Sequence, residues 1–253
     1  MDKKILLITG SSGLLGKAMS LNFLNKGHTV IGFDLTNKIK FKNFYFKKVN
    51  LCNEKQIILA IDSIFKRFKK IDVVINNAAY SPYTDFLKRD YKDFKKTVDI
   101  NLFAPFLIMK NYYKNFKKYK NQKGSIINIA SIYGIISPNM DIYEDKKKVN
   151  SEIYGASKAG LIQLTKYFGN IFAKDNISVN AISPGGIKNF RKQSSKFVKR
   201  YSKNVPQKRM AEIEEVIELI CYLANKQENY TTGHNFIIDG GLSIKWSFGT
   251  NHL

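Results

Sequence analysis

Short runs of β-branched and apolar residues alternate along the chain with longer segments whose apolar positions recur at helical spacing. The runs are KILLIT (4–9), TVIGFD (29–34), YFKKV (45–49), DVVIN (72–76), SIINIA (125–130), SVNAIS (178–183) and FIID (236–239). Most are continuous rather than alternating, as strands buried on both faces are. The helical patterns lie at about 13–26, 53–68, 90–118, 154–173 and 211–224, with Asn53 and Asp90 placed as N-caps. Strand and helix in alternation predict βαβ units and right-handed crossovers. The expected fold is therefore α/β: one doubly wound Rossmann domain over 1–253, a seven-stranded parallel sheet with helices on both faces. Two stretches, 137–152 and 186–210, show neither period. Each follows a predicted strand at its carboxyl end, where open α/β sheets bind ligands. They are expected to wall a substrate site, the second as its lid; plain surface loop is the alternative.

Composition changes this picture little. The 253 residues are 44% hydrophobic and 25% charged, enough for a core without disulfides or a structural metal. Lys and Arg number 42 against 20 Asp and Glu, a net charge of +22 that attracts anions in general. No basic stripe, zinc finger or RNP-type motif accompanies it, so nucleic-acid binding is not expected. Cys52 and Cys221 form no CxxC pair, which fits a reducing compartment. His28, His234 and His252 lack metal-ligand spacing, so no metal is expected. The apolar run from Leu102 to Met109 is broken by Pro105, and Ile5 to Ile8 is too short for a signal-peptide core. A cytoplasmic protein without membrane contact is the expectation.

Candidate chemistry begins where the first strand enters Thr9-Gly10-Ser11-Ser12-Gly13-Leu14-Leu15-Gly16 and a helix follows. Glycines there permit a tight turn and close backbone approach to a pyrophosphate, and the helix N-terminus offers unpaired N–H groups. The second strand ends at Asp34, 18 residues beyond Gly16. A carboxylate there accepts from the adenosine ribose hydroxyls and repels a 2′-phosphate. No Lys or Arg stands inside the Gly-rich loop, so NAD is favoured over NADP, with Lys38 and Lys40 nearby as the opposing signal.

Tyr154-Gly155-Ala156-Ser157-Lys158 opens a later helix and sets a phenol and an ammonium on one face. A cation beside a phenol lowers its pKa and fits it for proton transfer to an alcohol or carbonyl oxygen. A chain with 14 Tyr and many Lys contains such pairs by chance, so the motif gains weight only in company.

That company is present. Asn76-Asn77-Ala78-Ala79, Asn101 in VDINLFAPF, Ser131 in INIASIYG, Pro184-Gly185 in VNAISPGG and Asp239-Gly240-Gly241 follow in order around the two motifs above. Over nearly its whole length the chain resembles the short-chain dehydrogenase/reductase family. The resemblance implies a catalytic tetrad: Tyr154 transferring the proton, Lys158 lowering its pKa and holding the nicotinamide ribose, Ser131 bonding the reacting oxygen, and Asn101 holding a water through its helix backbone. Hydride would pass between a substrate carbon and nicotinamide C4. Implied cofactor contacts are Gly10, Ser12, Gly13, Leu14, Leu15, Gly16, Asp34, Asn50, Leu51, Asn77, Ala78, Ala79, Tyr154, Lys158, Pro184, Gly185 and Ile187.

The chain departs from the family pattern in places. The NNAG glycine is Ala79, and Asn50 stands where many relatives have the Asp that meets adenine; its amide oxygen is expected to accept from the adenine amino group. Asn189 replaces a threonine often found after the PG segment. Ser131 and Tyr154 are 23 residues apart, a wider spacing than usual, and the added residues are expected to form a polar flap. Between Asn176 and Ala211 no acid occurs, and seven of the sixteen residues from Lys188 to Lys203 are basic. Such a lid suits an anionic substrate, with Lys188, Arg191 and Lys192 beside Ser131 and Tyr133 as its contacts; a solvated helix face is the alternative. Together these features resemble surface-carbohydrate and flagellin-modification enzymes. A sugar or anionic sugar derivative is the leading substrate, a 3-oxoacyl-carrier-protein reductase the rival, and a non-catalytic dinucleotide-binding regulator the reading from another class. Apolar stripes on the 90–118 helix (Phe94, Val98, Phe106, Leu107) and the 154–173 helix (Leu161, Leu164, Phe168) lead to an expected homodimer or homotetramer.

Overall fold

Seven strands form one parallel sheet: β1 (Ile5–Thr9), β2 (Thr29–Asp34), β3 (Phe44–Lys48), β4 (Val73–Asn76), β5 (Gly124–Ile129), β6 (Ile177–Pro184) and β7 (Asn235–Ile238). Their order is β3-β2-β1-β4-β5-β6-β7. The computed structural model describes residues 3–145, 147, 149–189, 193–225 and 230–245. Strand order reverses between β1 and β4, the switch point outside which doubly wound sheets open a crevice. Leu6 pairs in register with Val30 on one side and Val73 on the other.

Successive side chains point to opposite faces, and both faces are covered. Leu7, Ile31, Val74, Ile126 and Val179 belong to the core under α2 (Glu54–Phe68), α4 (Ala104–Lys118) and α5 (Glu152–Phe172). Leu6, Ile8, Val30, Val73, Ile75 and Ile127 belong to the other, under α1 (Leu14–Asn25) and α7 (Ile213–Asn225). Burial on both faces is why the strands read as continuous apolar runs. Asn53 and Asp90 cap their helices as expected, Asn53 accepting from Gln56 N–H at 3.0 Å and Asp90 from Asp93 N–H at 3.0 Å.

Two features differ from the sequence expectation. The 90–118 pattern is α3 (Tyr91–Val98), a π-turn at Asp99–Phe103, and then α4. Pro105 has no N–H to give the Asn101 carbonyl four residues earlier, so the α ladder is interrupted there. The two unassigned stretches also contain structure. Ser194 caps α6 (Ser195–Asn204), its Oγ accepting from Phe197 N–H at 3.1 Å. The added stretch before α5 buries Ile142, Tyr143 and Val149 against Tyr201, Val205 and Met210. It is thus a wall with an apolar root rather than a polar flap, because its few apolar residues meet those of the lid. None of the described helices is long and apolar enough to cross a membrane.

Candidate active site

The cofactor crevice opens at the carboxyl ends of β1, β2 and β4. Gly10 adopts φ +65°, and a Cβ on Gly16 would stand 2.0 Å from Gly10 O, so the turn closes only with glycine. No side chain caps the N-terminus of α1, and its positive dipole end faces the crevice. Asn77 Nδ2 donates to Thr9 O at 2.8 Å, and the Asn77 and Ala78 N–H groups both donate to Thr9 Oγ1 at 3.0 Å. These bonds lock the end of β4 to the loop. Asp34 accepts from Ser12 N–H at 2.9 Å and from Leu35 N–H at 2.7 Å, which fixes its carboxylate at the end of β2.

The crevice measures about 460 Å³. Gly10, Ser12, Gly13, Leu14, Leu15, Gly16, Asp34, Asn50, Leu51, Asn77, Ala78 and Ala79 all line it, with Lys38, Thr36 and Ile100. Asn50 Oδ1 already accepts from Cys52 N–H at 3.0 Å, so one lone pair and the amide N–H groups remain for adenine. A cradle that a Cβ would fill, an uncapped helix end and a fixed carboxylate fit a dinucleotide. Pro184 and Gly185 line the neighbouring cavity instead. Ile187 lines neither; it bridges to Ala211 and packs on the α1/α7 core.

The candidate catalytic group forms where β5 ends and α5 begins. Ser131 Oγ accepts from Tyr133 N–H at 3.1 Å, and Ser131 acts on the Tyr154 phenol, favouring its ionised form. A Cβ on Gly155 would stand 2.7 Å from Tyr133 O, so a glycine after Tyr154 lets α5 approach the Ser131 turn this closely. Lys158, 1% exposed, donates from Nζ to Ile129 O at 2.7 Å and lies 5.6 Å from the Tyr154 ring centroid. Asn101 accepts from Tyr80 N–H at 2.8 Å and donates to Ser157 Oγ at 3.0 Å, while Ser157 Oγ donates to Tyr154 O at 2.7 Å. All four tetrad positions are therefore gathered, with the Asn101 side chain fixing the π-turn against α5.

Burial pushes Lys158 down to about 7. Burial pushes the Tyr154 phenol up to about 12, with Ser131 opposing it.

Ser131 and Tyr154 face a second cavity of about 830 Å³. Rings of Tyr83, Tyr133, Tyr143, Phe197 and Tyr201 wall it, and Asn150, Asn189, Gln193 and Ser194 add hydrogen-bonding groups. Among its described lining residues the one charged side chain is Glu144. Glu144 accepts from Ser194 Oγ and faces Lys196 Nζ at 3.9 Å. Lys188 does not line the cavity; its ammonium meets Glu212 at 3.2 Å. Arg191 and Lys192 lie outside the described residues. Tyr133 lines this cavity. Tyr83, Tyr143, Glu144 and Tyr201 are additional, brought in by tertiary packing of segments that carry no motif.

Comparison with known proteins agrees with this geometry. A family profile described as Enoyl-(Acyl carrier protein) reductase matches residues 14–243. The 3-oxoacyl-acyl-carrier-protein reductase FabG of Thermotoga maritima is 31% identical, over 96% of this chain and 99% of its own. Post-translational flagellin modification protein A of Campylobacter coli is 26% identical, over 96% of this chain and all of its own. A short-chain dehydrogenase from Leptospira borgpetersenii, solved with bound NAD+, superposes with a TM-score of 0.90 at 33% identity, covering 96% of this chain and 94% of its own. With its Gly-rich cradle, its Ser131–Tyr154–Lys158 cluster and its seven-stranded sheet, the chain belongs to the short-chain dehydrogenase/reductase family of nicotinamide-dependent oxidoreductases.

Proposed function

We propose that the protein interconverts an alcohol and a ketone on a sugar, with NAD(H) as cofactor, in surface-glycan synthesis. The observation that carries the substrate half is the wall of the 830 Å³ cavity. Tyrosine rings offer flat apolar faces to the C–H face of a sugar ring, and phenols, amides and a carboxylate receive its hydroxyls. The full-length similarity to a flagellin-modification protein supports the glycan setting. The second reading, reduction of a 3-oxoacyl thioester, is favoured by the FabG relatives and by the chain's positive charge.

A bound nicotinamide supplies or takes up the hydride. Ser131 Oγ and the Tyr154 phenol converge on the place of the reacting oxygen. Tyr154, protonated at neutral pH, gives its proton to a developing alkoxide and recovers it in the reverse direction. Lys158 exchanges its own proton near pH 7 and in its charged form favours the phenolate.

A thermal-shift screen tests the substrate. With NAD+ present, a neutral sugar or nucleotide-linked sugar should raise Tm in a concentration-dependent way. Stabilisation by a 3-oxoacyl thioester alone would favour the rival.

The cofactor half rests on Asp34. The wild type should bind NADH at least about tenfold more tightly than NADPH, ~1.4 kcal/mol. Asp34→Ala should narrow that ratio by removing the charge that repels a 2′-phosphate. A wild type that prefers NADPH would mean that Lys38, also on the crevice wall, governs the choice.

A homo-oligomer in the cytoplasm completes the reading. Leu107, Leu161 and Phe168 of the two stripes face the parent core, whereas Phe94, Phe103 and Tyr167 stay exposed. Light scattering should give a mass at least twice the 29.0 kDa chain; a monomer at micromolar concentration would remove this part.

A further inference from the structure

Helix α6 makes one hydrogen-bonded contact with Pro184–Gly186, through a side chain that also walls the 830 Å³ cavity. Tyr201, on α6, is 5% exposed, and its phenol oxygen accepts from Gly186 N–H at 2.6 Å. The ring lies directly on Gly186: a Cβ there would stand 2.7 Å from Tyr201 Cζ and 2.7 Å from Met210 Cε. Only glycine admits the tyrosine. The same short segment is held from two other sides, Gly185 N–H donating to Ile238 O at 2.9 Å and Gly186 O accepting from Ala211 N–H at 2.9 Å. Tyr201 is thus the lid's hold on Pro184–Gly186.

That segment borders the hydride end of the site. A dinucleotide with its pyrophosphate at the α1 N-terminus and its adenosine ribose at Asp34 must extend its other half away from β2. That half would lie toward β5 and β6, where Tyr154 and Pro184–Gly186 would hold it. We propose that Tyr201 is a positioning residue that docks α6 on Pro184–Gly186, so that the wall for the nicotinamide half is preformed. Without the phenol oxygen, a buried N–H loses its partner and the segment must be ordered when cofactor binds.

The inference rests on the nicotinamide chemistry of the family and not on the sugar reading, so the two fail separately. The test uses the whole protein and two probes, NADH and ADP-ribose, which lacks the nicotinamide. Tyr201→Phe should weaken NADH about tenfold and ADP-ribose by no more than about twofold. Should that variant misfold, Gly186→Ala displaces the ring from the other side and predicts the same selective loss. Equal weakening of both probes means a general structural role and overturns the proposal, as does unchanged affinity for both.

Discussion

Tyr154→Phe is expected to lower kcat by at least ~10²-fold while leaving the fold and NADH affinity close to wild type. The change removes one hydroxyl and keeps the ring that packs beside Ser131 and Lys158. What disappears is the proton held at the reacting oxygen. Because the loss falls on the chemical step, kcat and kcat/KM should fall together. A circular-dichroism spectrum and an NADH titration establish that fold and cofactor site survive. Wild-type turnover in this variant would remove Tyr154 from the mechanism and leave the phenol as a packing group.

Lys158→Met is expected to trade activity for stability. Turnover should fall by a factor similar to Tyr154→Phe, because no ammonium remains to favour the phenolate. Stability should rise, because a 1%-exposed lysine with its pKa near 7 is held against its preference for charge. The sign follows from linkage. An unfolded lysine titrates near 10.4, so between about pH 7 and 10 the unfolded chain binds one proton more than the folded chain. Wild-type stability therefore rises with pH across that window. The penalty is fully present below pH 7 and gone above the unfolded pKa. Methionine removes it at a similar volume, at the cost of the bond to Ile129 O. The gain should be on the order of 1 kcal/mol or more near pH 7, a Tm increase of ~2–4 °C per kcal/mol for a chain of this size. It should shrink toward zero by about pH 10. A Tm difference independent of pH would show that Lys158 is not desolvated as described.

The inner strands were legible because their apolar runs are covered on both faces, whereas the edge strands β3 and β7 are only partly buried and were read mainly from their place in the βαβ alternation. The Gly-rich turn and the Tyr154–Lys158 spacing were legible for a related reason, since both are local and backbone geometry dictates them. Sequence reasoning ran out where long-range packing decides. Pro105 signalled the break in the 90–118 segment, yet the apolar stripe around it suggested one continuous helix. Helix α6 was hidden because Lys and Arg outnumber its apolar residues, and Phe197, Val198 and Tyr201 become a face only once Ile142, Tyr143 and Val149 pack against them. For the same reason Tyr143 and Glu144, both on the substrate wall, had no motif to announce them. The basic run from Lys188 to Lys203 gave the opposite difficulty. Its charge was plain, but spacing cannot show that Lys188 meets Glu212 and that Arg200 Nη1 donates to Tyr143 O at 3.2 Å.

The central claim, a nicotinamide-dependent oxidoreductase working on a sugar carbinol at Ser131 and Tyr154, is most directly tested by steady-state turnover. Nicotinamide absorbance would be followed for the purified wild-type protein with both cofactors, against neutral and nucleotide-linked sugars and a 3-oxoacyl thioester, with Tyr154→Phe as the control. The account predicts that a sugar substrate with NAD(H) gives the highest kcat/KM and that this turnover vanishes in the control. Efficient reduction of the thioester with NADPH, with no sugar turned over by either cofactor, would contradict it.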